Sequence, residues 1–234
     1  MPVRRTIVVL VTITALVAAC SDDDDNSGSD ASTSTAGAST TATTVVDLEQ
    51  PAIWPASDVV FATAEEAAED FVTNALGVPP TLGELQQGDA RSGEIEVFSP
   101  GEGNGTQIVR SRLLLRQLGP DDGWFVLAAV NDETTITSPA AMGEVPAAPL
   151  EVTGQGRGFE GNLVVRAFVA GDAGALLDEQ VTTGGALEDP EPFSVTVDLS
   201  DAEPGDTVVL LVRGGTGLET DPGEVSAIPV VIAG

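Results

Sequence analysis

The sequence has no histidine, no lysine and no tyrosine, and only one cysteine. Without histidine it lacks the side chain that most often serves as general base and metal ligand near neutral pH. A serine nucleophile would therefore have no ordinary base beside it. One cysteine rules out a disulfide within the chain. Positive charge is scarce too: nine arginines stand against 37 acids, for a net charge of -28. Nucleic-acid binding rests on clustered Lys and Arg displacing counterions from phosphates, so nucleic acid is not an expected partner. The same charge disfavours anionic lipid surfaces and favours solubility through self-repulsion. No cofactor or metal motif is legible, and none is expected. Arg, Ala, Gly, Val and Asp stand where Lys, Ile and Asn could, the usage expected of a GC-rich bacterial genome. The apolar share, 42%, is enough for a real core.

Long apolar runs are confined to one place. Residues 1–19 read as a signal peptide, with Arg4 and Arg5 as the positive n-region, Ile7 to Val17 as the apolar h-region, and Ala18 and Ala19 as small residues before a cleavage point. The apolar run is shorter than the roughly 20 residues a comfortable membrane span needs. The stretch "VAAC", Val17 to Cys20, resembles the lipobox of bacterial lipoproteins, with Val where Leu is commoner. The resemblance implies that Cys20 is diacylated and becomes the first residue of the mature chain. Two acyl chains supply stable anchoring. The location implied is extracytoplasmic, at the cell membrane.

From Ser21 to about Thr44 the chain is Ser, Thr, Ala, Gly and Asp without a large apolar residue, and cannot repay the entropy of ordering. As a flexible coil these residues reach about 25 to 30 Å. The run Asp22 to Asp25 fails as a calcium loop, because Ser27 and Thr33 stand where an EF-hand needs Gly and Glu. Residues 20–57 are therefore assigned to an acidic, disordered tether, although Trp54 is too apolar to leave exposed and is expected to dock on the domain that follows.

Residues 58–137 read as a small α+β domain. Thr63 and Glu66 form a capping box. Ala64, Ala67, Ala68, Phe71, Ala75 and Leu76 form one apolar stripe, and Gly77 ends the helix. Three strand signals follow, "EIEVFS", "TQIVRSRLLLRQL" and "WFVLAAV", with turns at "GEGNG" and "GPDDG". One helix on an antiparallel sheet is the economical arrangement. Arg110, Arg112 and Arg116 alternate on the middle strand as a local concentration of positive charge. Two readings stay open: a solvated face paired with acids, or a site for an anionic ligand or a partner's carboxylates.

Residues 138–234 begin with a Pro- and Ala-rich junction and continue as strand after strand: "LEVTGQG", "GNLVVRAFVA", "ALLDEQVTT", "PFSVTVDL", "DTVVLLVRG" and "EVSAIPVVIA". The spacing suits a β-sandwich. Phe193, Val195, Val197 and Leu199 alternate with polar residues, whereas "LVVRAF" and "VVLLV" are continuous runs suited to central strands.

On the P-L-x-V-x-G start at Pro149 to Gly154, the F-E-G at Phe159 to Gly161, the return at Gly174 to Leu177 and the final apolar strand, this segment resembles the immunoglobulin-like domain of bacterial spore-germination lipoproteins. "LEDPEPF" stands where family members often carry Trp-Gly. The resemblance implies an Ig-like sandwich without a disulfide and no catalytic residues, with Gly154, Phe159 and Gly161 serving fold and turn geometry. The fold class expected is mainly β, a small α+β domain followed by an Ig-like sandwich. The function expected is that of a non-enzymatic, lipid-anchored envelope protein binding a partner protein or wall polymer. The alternatives are a small anionic-ligand receptor using Arg110, Arg112 and Arg116, and a glycoside hydrolase using two carboxylates.

Overall fold

The computed structural model describes residues 48–100, 107–186 and 189–234. The expected signal peptide, Cys20, the tether up to residue 47 and the "GEGNG" turn at 101–105 lie outside the described residues. The elements are α1 (Ala64–Asn74), β1 (Gln86–Asp89), β2 (Ser92–Phe98), β3 (Val109–Leu118), β4 (Gly123–Val130), β5 (Thr135–Ser138), β6 (Glu144–Val145), β7 (Pro149–Gly158), β8 (Asn162–Val169), β9 (Leu176–Thr183), β10 (Gly185–Ala186), β11 (Glu191–Asp198), β12 (Thr207–Gly214) and β13 (Glu224–Ile232).

Helix α1 starts where its capping box predicts. The Glu66 amide donates to Thr63 Oγ1 and the Glu66 carboxylate accepts from the Thr63 amide. All six predicted stripe residues are buried, and Val72 joins them. Gly77, at a φ of +70°, ends the helical run. Replacing Thr63 with Ala leaves the Glu66 amide without its side-chain acceptor and is expected to cost about 1 kcal/mol, read as a lower urea midpoint with an unchanged slope.

The six strands read in the C-terminal half and the three read before it are all present. Sequence reading missed the short β1, β5, β6 and β10, which have too few residues to show alternation. A nine-stranded sheet runs β1-β2-β3-β4-β13-β12-β8-β9, with β6 against β13, and a four-stranded sheet joins β10, β7, β11 and β5. Pairing is antiparallel except at the two-residue β6 and β10. The sandwich core lies between the two sheets: Val152, Phe193 and Val197 from one face Leu163, Val165, Val208, Leu210 and Val212 from the other.

The expected division at 137/138 falls inside β5, and strands from both sides of it build the same sheet. β13 pairs with β4 at Ala227 and Ala129, and the Asn131 amide donates to Ser226 Oγ at 3.2 Å. A second core cluster holds α1, β2, β3 and β4 residues together with Phe168, Val209, Leu211, Val225 and Ala227. The described residues, from 48 onward, thus cluster as one compact unit. The physical reason is in the β12 run "VVLLV": Val208, Leu210 and Val212 face the sandwich, while Val209 and Leu211 face the helix side, so this strand is covered on both faces.

The tether boundary at 57 also moves. Ala52, Ile53 and Trp54 are buried, the Ile53 amide donates to the Val126 carbonyl, and the Gly171 amide donates to the Ile53 carbonyl. Trp54 docks as expected, its Nε1–H donating to Asp70 Oδ1 at 2.7 Å and its ring meeting Phe71 edge-on. This strap passes so close to the β8–β9 turn that a Cβ on Gly171 would sit 1.9 Å from the Ala56 nitrogen. Gly154 is constrained in the same way, since a Cβ there would lie 1.9 Å from the Thr135 carbonyl oxygen.

Candidate functional site

The three arginines singled out on β3 are placed in two different environments. Arg110 donates from Nε and Nη2 to both carboxylate oxygens of Asp221, at 3.0 and 2.7 Å. The two side chains are 13% and 3% exposed. Asp221 lies in the β12–β13 loop, and its carboxylate also accepts from the Gly223 amide at 2.9 Å. Arg110 is therefore a latch between β3 and that loop, its Nε and Nη2 taken up by a buried carboxylate. Arg112 lies 3.5 Å from Glu94 and Arg116 lies 3.8 Å from Asp89, all four half-exposed. These two follow the paired-face reading, and the three do not converge on a common cavity.

A second, partly buried pair fixes the same end of the sheet. Arg157 on β7 donates from Nε and Nη2 to Glu224 Oε1 at 2.9 and 2.8 Å. The hydrogen bond to Glu224 raises the already high pKa of the Arg157 guanidinium.

Two arginines that sequence reading passed over sit together on the helix side of the shared sheet. The β8–β12 register sets Arg166 opposite Leu211 and Arg213 opposite Val164. Arg166 Nη1 donates to the Ala75 carbonyl and Arg213 Nη1 to the Leu76 carbonyl, both at 3.1 Å. They thereby satisfy carbonyls left open at the end of α1 and place cations at its negative pole. Arg166 also lies over the Phe168 ring, 5.6 Å from its centroid, and its Nε is 3.3 Å from Glu179. Arg213 Nη2 donates to the Asp221 carbonyl at 2.8 Å.

Arg213 differs from the other arginines of the described residues. Arg91, Arg110, Arg112, Arg116, Arg157 and Arg166 each form an ion pair. Arg213 has carbonyl partners, and among the described residues no carboxylate is in ion-pair reach. Burial pushes its guanidinium below the ordinary arginine range; Asp221 opposes the shift and Arg166 adds to it. Both arginines line a cavity of about 450 Å³ with Leu76, Val164, Leu211 and the 215–219 loop. The signal that could have found them is an arginine set inside an apolar run, "LVVRAF" and "VVLLVRG", where the charge must find partners in the interior.

On the rim of the same loop, Phe159 is 45% and Leu218 46% exposed. The Phe159 ring lies over Gly217, and the Phe159 amide donates to the Gly215 carbonyl at 2.7 Å. Among the described residues no helix is long and apolar enough to cross a membrane, and no cluster of three metal-ligating side chains occurs.

Two facing sheets closed over an apolar core define an Ig-like β-sandwich. Residues 134–214, from β5 to the end of β12, match the family described as the immunoglobulin-like domain of bacterial spore germination. The chain thus carries a domain of that non-catalytic type, while β13, which completes the sandwich and joins it to β4, lies beyond the matched residues. No curated protein and no solved structure matches the chain.

Proposed function

We propose that this chain is a lipid-anchored, non-enzymatic protein of the cell envelope whose folded body, carried on an acidic tether, binds a partner protein or wall polymer. The observation that carries the reading is the Ig-like domain at residues 134–214, a non-catalytic domain type. The lipobox-like "VAAC" supports the anchor. The half-exposed Phe159, packed over Gly217, and the half-exposed Leu218 that follows Gly217 in the chain support a binding surface there.

The anchor is tested by fractionating cells that express the wild-type chain or Cys20→Ala. The wild type is expected in the membrane fraction and the variant in the soluble extracytoplasmic fraction. A variant that stays on the membrane would rule out attachment through Cys20. Crosslinking in intact envelopes, followed by pull-down of both forms, tests the binding role. Specific adducts that weaken when Phe159 and Leu218 are both changed to Ser are the expected result; adducts indifferent to that change would place the surface elsewhere.

A further inference from the structure

The cavity beneath the end of α1 is not explained by the packing around it. The sequence supplies 37 acids for nine arginines, so a counterion for any buried arginine is easily found, and six of the seven arginines among the described residues have one. Arg213 does not, and a second cation, Arg166, stands beside it on the neighbouring strand. The helix carbonyls of Ala75 and Leu76 offset this only in part, because a carbonyl dipole carries a fraction of a carboxylate's charge. Each guanidinium also has more N–H groups than the two carbonyls each one meets can use. Both line a cavity of about 450 Å³, within the size range of small-molecule sites.

We propose that Arg213, assisted by Arg166, forms a binding site for the carboxylate of a small ligand with an apolar body. The carboxylate would face the guanidinium of Arg213, which offers a planar, charge-assisted match. Leu76, Val164, Leu211 and Leu218 supply apolar wall for the rest of the ligand. Glu179 and Glu219 also line the cavity and would repel a multiply charged phosphate more than a single carboxylate, which sets the class. The site goes beyond the envelope-binding reading and does not depend on the lipid anchor.

The test is calorimetric titration of the full chain in detergent with N-acetyl-leucine, its neutral amide, and the peptide N-acetyl-Ala-Ala-Leu with a free C-terminus. Saturable binding of N-acetyl-leucine at least about tenfold tighter than its amide is expected, since an uncharged amide leaves the guanidinium without its counterion. Arg213→Met should weaken the acid by about tenfold or more, and Glu219→Gln should tighten it about twofold by removing a like charge. Arg112→Met should change nothing. Because Arg213→Met also loses a helix-end contact, Thr216→Trp provides a second variant, which fills the cavity from the loop and should abolish binding with Arg213 intact. A peptide bound far more tightly than N-acetyl-leucine identifies a polypeptide C-terminus as the source of the carboxylate; equal affinity identifies a free small acid. Equal binding of acid and amide, absence of saturable binding by every probe, or an acid affinity indifferent to both Arg213→Met and Thr216→Trp overturns the proposal.

Discussion

Replacing Arg110 with Ala is expected to destabilise the protein by about 3–5 kcal/mol, whereas Arg112→Ala and Arg116→Ala should each cost less than about 1 kcal/mol. All three sit on β3 with the same spacing, so any difference comes from their surroundings. Arg110 and Asp221 meet through two hydrogen bonds with almost no solvent on either side chain. Removing the cation leaves a buried carboxylate that keeps one amide donor, from Gly223, and loses its ion pair, with Arg213 acting on it only at longer range. Arg112 and Arg116 pair at 3.5 and 3.8 Å from half-exposed positions, where water replaces the partner cheaply. Urea unfolding of the three variants checks the ranking. The double variant Arg110→Ala with Asp221→Ala should recover part of the loss, since the buried carboxylate left by the single change is then gone. A deficit for Arg110→Ala no larger than for Arg112→Ala would show that Asp221 finds water or another donor in the loop.

Phe168→Ala is expected to cost about 3–5 kcal/mol, and its consequence reaches beyond the strand that carries it. Phe168 is fully buried and belongs to the cluster that contains Trp54, Phe71, Leu113 and Val126. Both tryptophans, Trp54 and Trp124, lie before residue 134, outside the matched Ig-like segment. Tryptophan emission therefore reports on the N-terminal half and far-ultraviolet circular dichroism on the whole. If one sheet and a shared core make a single cooperative body, the two signals fall together in the wild type and shift together in Phe168→Ala. Two independent domains would instead leave the tryptophan transition where it was.

The sequence was most informative where its signal was local. The capping box at Thr63 and Glu66, the stripe along α1, the alternation of Phe193 to Leu199, and the central placing of "LVVRAF" and "VVLLV" all appear in the structure, because caps and periodicity are set by neighbours along the chain. Trp54 was legible for another reason: its apolar area is too large to leave in water.

The candidate site was legible only in part. Arg110, Arg112 and Arg116 look alike in sequence, yet Asp221, 111 residues away from Arg110, turns the first into a latch. Arg166 and Arg213 come together only because β8 and β12 are neighbours and α1 ends above them. The amino-acid sequence alone determined the helix and the nine longer strands, the faces they bury, the scarcity of positive charge and the lipobox-like cysteine. Tertiary structure decided that β4 pairs with β13, so that an expected pair of domains shares one sheet, and that one arginine among many acids is left facing a cavity. Strand partners far apart in the chain are chosen by how whole surfaces fit and exclude water, and no local pattern carries that information.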